Sequence, residues 1–336
     1  MVNKELLKHL PNCVVVSTIR QEDDEEAWKA ARNKGIGGSD IGAICGVSPF
    51  SSARQIYFSK TGQYEEALKP GAASQERMKW GHLLEPIVAA EFASRTGKRL
   101  LEVDATFAHK DFTYMRANVD RLIVDENNVP YGILECKTTS EYNNEEWENG
   151  DILLSYIYQL NWYLHILDLK YGAFACLVGG NKFYHYEVYR NDDLIKNTLL
   201  PAAHEFWHNN VLALKEPELQ SSDADTDFVN EKYAAVEKNS EITLPEDIDN
   251  ELARTVFECK AQIKELESTM KEAQNRLKER LKDHEIGYCR DYTVKWSPRK
   301  QTRVDTDRLK TDFPEVYEAC KKEIEFRAMS VKGAVV

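Results

Sequence analysis

A mostly apolar strand that ends in charged residues constrains this chain most. Residues 131–138 read Tyr-Gly-Ile-Leu-Glu-Cys-Lys-Thr, which predicts a buried central strand. Glu135 and Lys137 are two residues apart, so on a strand their side chains point to the same side. Because unpaired buried charge is costly, this pair needs a partner. A divalent cation held by Glu135 and by Asp120, which ends the strand-like run 114–120, would satisfy both carboxylates and leave Lys137 for a water or a phosphate.

These residue types suit metal-assisted hydrolysis of a phosphodiester. Mg²⁺ and Mn²⁺ prefer carboxylate, carbonyl and water ligands. Such an ion makes a bound water more acidic and neutralises charge on the phosphate, and a nearby lysine can orient or deprotonate that water. An E-x-K tripeptide is short, so a surface salt bridge on an ordinary strand remains the alternative explanation at this point.

Composition limits the classes of protein that the chain can belong to. Hydrophobic residues make up 42% and charged residues 30% of the 336 residues, which is typical of a globular protein. The net charge of −12 argues against a protein that coats nucleic acid non-specifically, but a nuclease could confine its DNA contacts to one basic channel. We see no membrane span and no signal-peptide pattern. The seven scattered cysteines favour free thiols in a reducing cytoplasm over a zinc site.

The sequence pattern divides the chain into three parts. Residues 1–220 alternate between helix and strand patterns and predict a mixed α/β domain with a central sheet. Residues 221–250 form an acidic connector, and residues 251–336 are expected to form an accessory module. Apolar residues recur in steps of four and three from Leu252 to Leu277, which predicts a coiled-coil-like helix or an amphipathic helix folded on its own domain. The stretch from Arg290 to Lys310 holds seven bases against three acids, so this module is expected to bind DNA or a protein partner.

Five segments carry a resemblance to a known family. They are Arg-Asn-Lys-Gly-Ile-Gly-Gly-Ser-Asp-Ile at 32–41, Trp-Gly-His-Leu-Leu-Glu-Pro at 80–86, Asn-Val-Asp at 118–120, Leu-Glu-Cys-Lys-Thr at 134–138 and Tyr-Gln-Leu-Asn-Trp-Tyr at 158–163. In order and spacing the set resembles the lambda-exonuclease and YqaJ-type viral recombinase family of the PD-(D/E)XK nuclease superfamily. The resemblance implies a restriction-endonuclease-like α/β core, with a mixed central sheet flanked by helices. A helical, coiled-coil-like and small α+β extension would follow this core.

The resemblance also implies roles for residues of the catalytic centre. Asp120 and Glu135 would be metal ligands, with the backbone carbonyl of Cys136 completing the shell. Lys137 would position or activate the attacking water. Glu85 would bind a second ion or its waters, so that two Mg²⁺ or Mn²⁺ ions occupy the site. Gln159 would contact the scissile region or the nucleophile.

A separate set is implied to bind the terminal 5′-phosphate of DNA. Arg32 and Ser39 would grip this phosphate, because an arginine offers a fork of donors and a helix start offers backbone N–H groups. Asn118 stands where the family carries a serine at this pocket. The sequence departs from lambda exonuclease there, in a longer hairpin between Asp120 and Glu135, and in its C-terminal third.

The function implied by the resemblance is a 5′→3′ exonuclease on double-stranded DNA ends, which leaves 3′ single strands for phage-type recombination. It further implies a single-strand annealing protein as partner, a homo-oligomer in the form of a trimeric ring, and action in the cytoplasm of a bacterial host. Two alternatives stay open. The chain could be a PD-(D/E)XK endonuclease, which needs no grip on a 5′ end, or a non-catalytic DNA-binding scaffold.

Overall fold

Two compact units make up the chain, residues 1–232 and residues 233–336. The computed structural model describes residues 4–20, 23–63, 72–237, 239–245, 247–322 and 326–333. The strands of the first unit are β1 (Cys13–Ser17), β2 (Arg99–Leu101), β3 (Thr106–His109), β4 (Arg116–Ala117), β5 (Arg121–Val124), β6 (Pro130–Thr139), β7 (Tyr171–Val178) and β8 (Lys182–Tyr189). Its helices are α1 (Lys4–Lys8), α2 (Glu25–Asn33), α3 (Gly38–Ile44), α4 (Ala53–Thr61), α5 (Ala72–Thr96), α6 (Asn144–Asn149), α7 (Leu154–Leu167), α8 (Asp192–Leu194), α9 (Leu200–Glu205) and α10 (Asp223–Lys232).

The strand that carries Glu135 and Lys137 is the middle strand of a five-stranded sheet, in the order β2-β5-β6-β7-β8. β6 and β7 are parallel, and the other neighbouring pairs are antiparallel. Parallel neighbours need a crossover, which here contains α7. The mixed sheet with its flanking helices confirms the predicted fold class of the core. A smaller antiparallel sheet, in the order β1-β3-β4, completes the strands of this unit.

Both faces of β6 are covered, which explains why its sequence is almost continuously apolar. Leu134 packs with Val88 and Phe92 of α5 in one cluster of buried residues. Ile133, on the opposite face, joins the larger core that contains Trp162 and Leu164 of α7. The odd-numbered residues of β6 therefore face the side of α7, and the even-numbered residues face α5.

The sequence predicts strand-like runs over residues 99–108 and 114–124, and the structure breaks both of them. The run 99–108 becomes β2 and β3, which belong to different sheets. The run 114–124 becomes β4 and β5, so Asp120 lies in the turn before β5 instead of ending a continuous strand. Alternating apolar residues indicate an extended chain but do not show which neighbour it pairs with.

The helical segment after β8 contains two π-helical stretches, Ile195–Leu199 and Phe206–Val211, on either side of α9. A 3₁₀ turn, Glu141–Asn143, precedes α6. The first compact unit extends beyond residue 220, because α10 packs into it. Phe228 of α10 is buried, and its ring lies 5.5 Å from that of Phe58. The part of the predicted acidic connector up to Lys232 therefore belongs to the first unit.

The second unit contains a long helix, a β-hairpin and two short helices: α11 (Asp247–Leu281), β9 (Ile286–Tyr288), β10 (Thr293–Lys295), α12 (Thr306–Asp312) and α13 (Pro314–Cys320). This agrees with the predicted helical and small α+β extension. The apolar residues at heptad spacing on α11 are mostly exposed, for example Ile263 at 55% and Leu266 at 68%. Of the helices in the described ranges, none has both the length and the apolar character that crossing a bilayer requires.

Candidate active site

The structure brings Asp120, Glu135, Lys137 and Gln159 together at the end of β6. The Cys136 backbone N–H donates to Asp120 Oδ2 at 2.7 Å, which fixes the Asp120 carboxylate against the strand. Lys137 Nζ donates to Glu135 Oε2 at 2.9 Å and to Gln159 Oε1 at 3.1 Å. β6 and α7 thus hold a connected set of two carboxylates, one ammonium group and one amide.

Glu135 is the most constrained of these residues. It is fully buried, and its Oε1 atom has no hydrogen-bond partner among the described residues. Burial, and then the negative charge of Asp120, raises the pKa of Glu135 to about 8, against the lowering effect of Lys137. A buried carboxylate with an oxygen left unpaired is costly to keep charged. This position therefore favours a further positive group.

Lys137 stays protonated in this setting. Burial on its own would lower its pKa, but the charges of Glu135 and Asp120 and the hydrogen bond to Glu135 together outweigh burial and raise the pKa. The ammonium also lies 4.9 Å from the centre of the Tyr156 ring, a cation–π distance. Of its three N–H groups, two donate hydrogen bonds to Glu135 and Gln159. The third has no hydrogen-bond partner within the described part of the chain.

Glu85 approaches the site from the other side of the sheet, on α5. Its Oε1 pairs with Arg121 Nη1 at 2.6 Å, and Arg121 also donates to the backbone carbonyl of Asp120. Burial, followed by the charge of Asp120, raises the pKa of Glu85, while Arg121 opposes this shift. Arg121 thus connects Glu85 to the turn that carries Asp120. Sequence reasoning missed Arg121, although it directly follows Asp120.

The donor set fits a hard divalent cation. Three carboxyl groups (Asp120, Glu135 and Glu85) and two cationic groups (Lys137 and Arg121) lie together here. Glu135 Oε1 supplies an unpaired ligand atom. No group of three or more His, Cys, Asp or Glu side chains is already arranged as a metal cluster in the described ranges.

The backbone carbonyl of Cys136 lies on the appropriate edge of the strand. In an extended chain, the N–H and the C=O of one residue point to the same neighbour. Because the Cys136 N–H points to Asp120, its carbonyl points to the same edge. The Cys136 thiol is not suited to chemistry as a thiolate, since burial, and then the charge of Asp120, raises its pKa.

Arg32 and Ser39 meet, as expected for a shared anion pocket. Arg32 Nη2 donates to Ser39 Oγ, and the Arg32 guanidinium lies over the Trp28 ring at 5.3 Å. Ser39 is exposed, whereas the adjacent Asp40 is buried. The hydrogen bond recorded for Asn118 goes to Thr106 Oγ1, at 2.8 Å, and not to Arg32 or Ser39. A role for Asn118 in this pocket stays a prediction.

A buried ion pair supports the pocket, and sequence reasoning did not find it. Lys60 Nζ lies 2.7 Å from Asp40 Oδ2, and Arg32 Nη2 lies 3.8 Å from Asp40 Oδ1. Asp40 Oδ2 also accepts the Gly37 N–H at 2.8 Å. Burial would raise the pKa of Asp40, but Lys60 and Arg32 outweigh it and lower the pKa. Asp40 is therefore a charged carboxylate that pairs with Arg32.

Tyr163 connects the helix that carries Ser39 to the candidate catalytic residues. A Cβ added to Gly38 would lie 2.4 Å from Tyr163 Cε1, so only glycine permits this approach of α3 to α7. Gln159 Nε2 in turn donates to the Tyr163 hydroxyl at 3.4 Å. A continuous series of contacts thus runs from the helix that carries Ser39 through Tyr163 and Gln159 to Lys137.

Comparisons with known proteins show what this chain is similar to. A family model described as the YqaJ-like viral recombinase domain matches residues 27–170, which include Arg32, Glu85, Asp120, Glu135 and Gln159. The uncharacterized protein YqaJ of Bacillus subtilis (strain 168) is 40% identical over 314 residues, which cover 93% of this chain and 95% of that protein.

Two solved structures are similar over part of the chain. An alkaline exonuclease from Laribacter hongkongensis has 18% identity and a TM-score of 0.45, covering 57% of this chain and 94% of its own. A phage related exonuclease from Haemophilus somnus 129PT has 12% identity and a TM-score of 0.40, covering 54% and 96%.

Proposed function

Because this chain belongs to the YqaJ-like viral recombinase family, we propose that it is a metal-dependent deoxyribonuclease that acts in phage-type recombination. One observation carries the proposal. The fully buried Glu135 keeps an unpaired carboxylate oxygen beside Asp120 and Lys137, at the end of the central strand. In a purely structural salt bridge, both carboxylate oxygens would be hydrogen-bonded or exposed to solvent. A divalent cation, in contrast, needs a carboxylate oxygen that has no other partner.

We propose that Asp120, Glu135 and the Cys136 carbonyl hold the ion, with Glu85 binding its waters or a second ion. Mg²⁺ or Mn²⁺ bound there supplies positive charge against the phosphate and a more acidic water. Glu135 and Gln159 aim the Lys137 ammonium, whose remaining N–H orients the attacking water or a phosphate oxygen. Lys137 would position or activate the attacking water.

The finer activity proposed is a 5′→3′ exonuclease on double-stranded ends that leaves 3′ single strands. The pocket of Arg32 and Ser39 supports it, because a grip on a terminal 5′-phosphate selects ends and polarity. A single-strand annealing protein as partner, a trimeric ring and action in the host cytoplasm are proposed from the family resemblance alone.

Digestion of end-labelled linear duplex tests activity and polarity together. With Mg²⁺ or Mn²⁺, 5′-phosphorylated ends should be degraded faster than 5′-hydroxyl ends, and closed circles should survive. Ca²⁺ should bind without good turnover, because its looser shell positions water poorly. Arg32→Ala should erase the preference for a phosphate. Arg95→Ala is the matched control, since Arg95 forms an exposed ion pair with Glu91 elsewhere on the unit.

The same assay separates the alternatives. Cleavage of closed circles, or equal rates on both kinds of end, would favour an endonuclease. Intact DNA with every divalent ion, together with measurable DNA binding, would favour the non-catalytic scaffold.

A further inference from the structure

The hairpin of the second unit turns one face to solvent. β9 and β10 pair antiparallel, with Tyr288 opposite Thr293 and Ile286 opposite Lys295. Side chains alternate along a strand, so these four residues share one face. All four are exposed. The proposed nuclease activity does not involve this face.

The other face of the hairpin is fixed to the protein. Gly287 and Val294 occupy it, and both are partly buried. A Cβ added to Gly287 would lie 2.7 Å from a methyl carbon of Leu281, the buried last residue of α11. An isolated two-stranded hairpin has marginal stability in water. The contact with Leu281 therefore fixes the orientation of this hairpin.

Two large aromatic side chains near the turn of the hairpin are open to solvent. Tyr288 is 81% exposed on the face just described, and Tyr292, in the turn, is 77% exposed. Side chains so exposed add little to packing within the chain. We refer to Tyr288 and Tyr292 as the aromatic ribbon. Because Tyr292 pairs with Cys289, next to Tyr288, the two rings lie on opposite sides of the hairpin, and each can stack separately on a flat partner.

Basic residues flank the aromatic ribbon in the sequence, although the whole chain carries a net charge of −12. Residues 286–303 contain five basic residues and one acid, Asp291. The Arg290 side chain is 95% exposed, and its contact with Asp291 is long, at 3.9 Å. Such an exposed ion pair contributes little to stability and leaves the Arg290 guanidinium available to contact a phosphate.

We propose that the aromatic ribbon and its basic flanks bind single-stranded DNA. Stacking platforms with cationic flanks fit an unpaired strand, because each base offers a free π-face and the phosphates follow the positive charge. In a duplex the base faces are covered by their neighbours, so the rings of Tyr288 and Tyr292 would find no partner there. The ribbon is therefore a DNA contact of the second unit that is specific for the unpaired strand.

Fluorescence anisotropy on the full-length protein in EDTA tests this proposal. The probe is an internally labelled circular oligothymidylate, which has no ends and cannot be cleaved without metal, so the result is independent of the nuclease activity. Tyr288→Ala and Tyr292→Ala should each weaken binding about tenfold, the effect of losing one stacked base. Tyr288→Phe should retain affinity within about twofold, because the ring is kept. Lys295→Gln should lower the slope of log affinity against log salt by about 0.7.

Tyr142→Ala is the matched control, because Tyr142 is 97% exposed on the other unit, and it should bind as the parent does. Unchanged affinity of both alanine variants of the ribbon would overturn the proposal. It would also be overturned if a closed circular duplex bound as tightly as the single strand and lost the same affinity in the variants, since this would mean backbone contact only. Circular dichroism matching the parent shows that the variants remain folded.

Discussion

Replacing Lys60 by methionine is expected to destabilise the first unit strongly. Both partners of the Lys60–Asp40 pair are almost inaccessible, with side chains 2% and 5% exposed. Methionine keeps most of the aliphatic volume of lysine but removes the charge. It leaves Asp40 as a buried carboxylate with only Arg32, at 3.8 Å, and the Gly37 N–H as partners.

The loss of stability in Lys60→Met can be estimated from the burial of the ion pair. Removing one partner of a buried pair costs about 3–5 kcal/mol. Because Arg32 and Gly37 partly compensate, we expect about 3 kcal/mol of unfolding free energy. In a unit of this size, that lowers the midpoint of thermal unfolding by about 6–12 °C. Thermal and urea unfolding of the parent and of Lys60→Met at neutral pH measure the difference.

A surface pair of the same length provides the control. Lys29 Nζ lies 2.7 Å from Glu25 Oε1, but both side chains are about 60% exposed. Lys29→Met should therefore change stability by less than about 1 kcal/mol. Adding Asp40→Asn to Lys60→Met should recover part of the loss, since it removes the orphaned charge. Equal effects of Lys60→Met and Lys29→Met would refute the reasoning that burial makes this pair structural.

Three further outcomes are expected. Lys137→Ala should reduce cleavage of labelled duplex about 100-fold or more while DNA binding persists; near-normal rates would contradict its assignment. Burial and then the charge of His109 lower the pKa of His165 to about 4, so the folded state binds fewer protons than the unfolded chain between about pH 6.5 and 4. As the pH falls from 6.5 to 4, the free energy of unfolding should decrease by about 2 kcal/mol, a value discounted because His165 is partly exposed. His165→Gln should flatten the plot of the unfolding midpoint against pH. Cys259 lies on the apolar heptad seam of α11 and is exposed. Mild oxidation should therefore give a disulfide-linked dimer on a non-reducing gel that Cys259→Ser abolishes and Cys289→Ser does not, whereas a monomer throughout would mean that two copies of α11 do not pair in parallel and in register along the seam.

The sequence predicted the elements that local signals define. Two strand-like runs around Gly179 and Gly180 predict a hairpin over 171–178 and 182–189, and the structure has the same boundaries, because these glycines permit the positive φ angles of its turn. The family suggested by the five segments is confirmed by the match over 27–170 and by the long relative from Bacillus subtilis. Segments of fixed order and spacing identify a family because each has a place in the same fold.

What the sequence did not predict depends on contacts between distant residues. Arg121 pairs with Glu85 across 36 residues, and nothing near either residue indicates the other. Lys60 looks like an ordinary helix-end lysine until α4 places its ammonium against the buried Asp40. Local periodicity likewise could not show that β2 and β3 enter different sheets. In each case the missing information is the choice of partner, which packing determines and local propensity does not.

The contacts of α7 imply that the proposed 5′-phosphate pocket and the proposed catalytic centre do not act separately. Tyr163 packs against Gly38 of the pocket helix, and Gln159, one turn earlier, bonds both Tyr163 and Lys137. A methyl group at Gly38 would lie 2.4 Å from the Tyr163 ring, which is 4% exposed and has little room to yield. Gly38→Ala should therefore shift Tyr163, disturb the Gln159–Lys137 hydrogen bond and lower both the preference for 5′-phosphate ends and the turnover on them. If the variant is folded and loses only the end preference, the two sites are mechanically independent, and the contact series through Tyr163 serves packing alone.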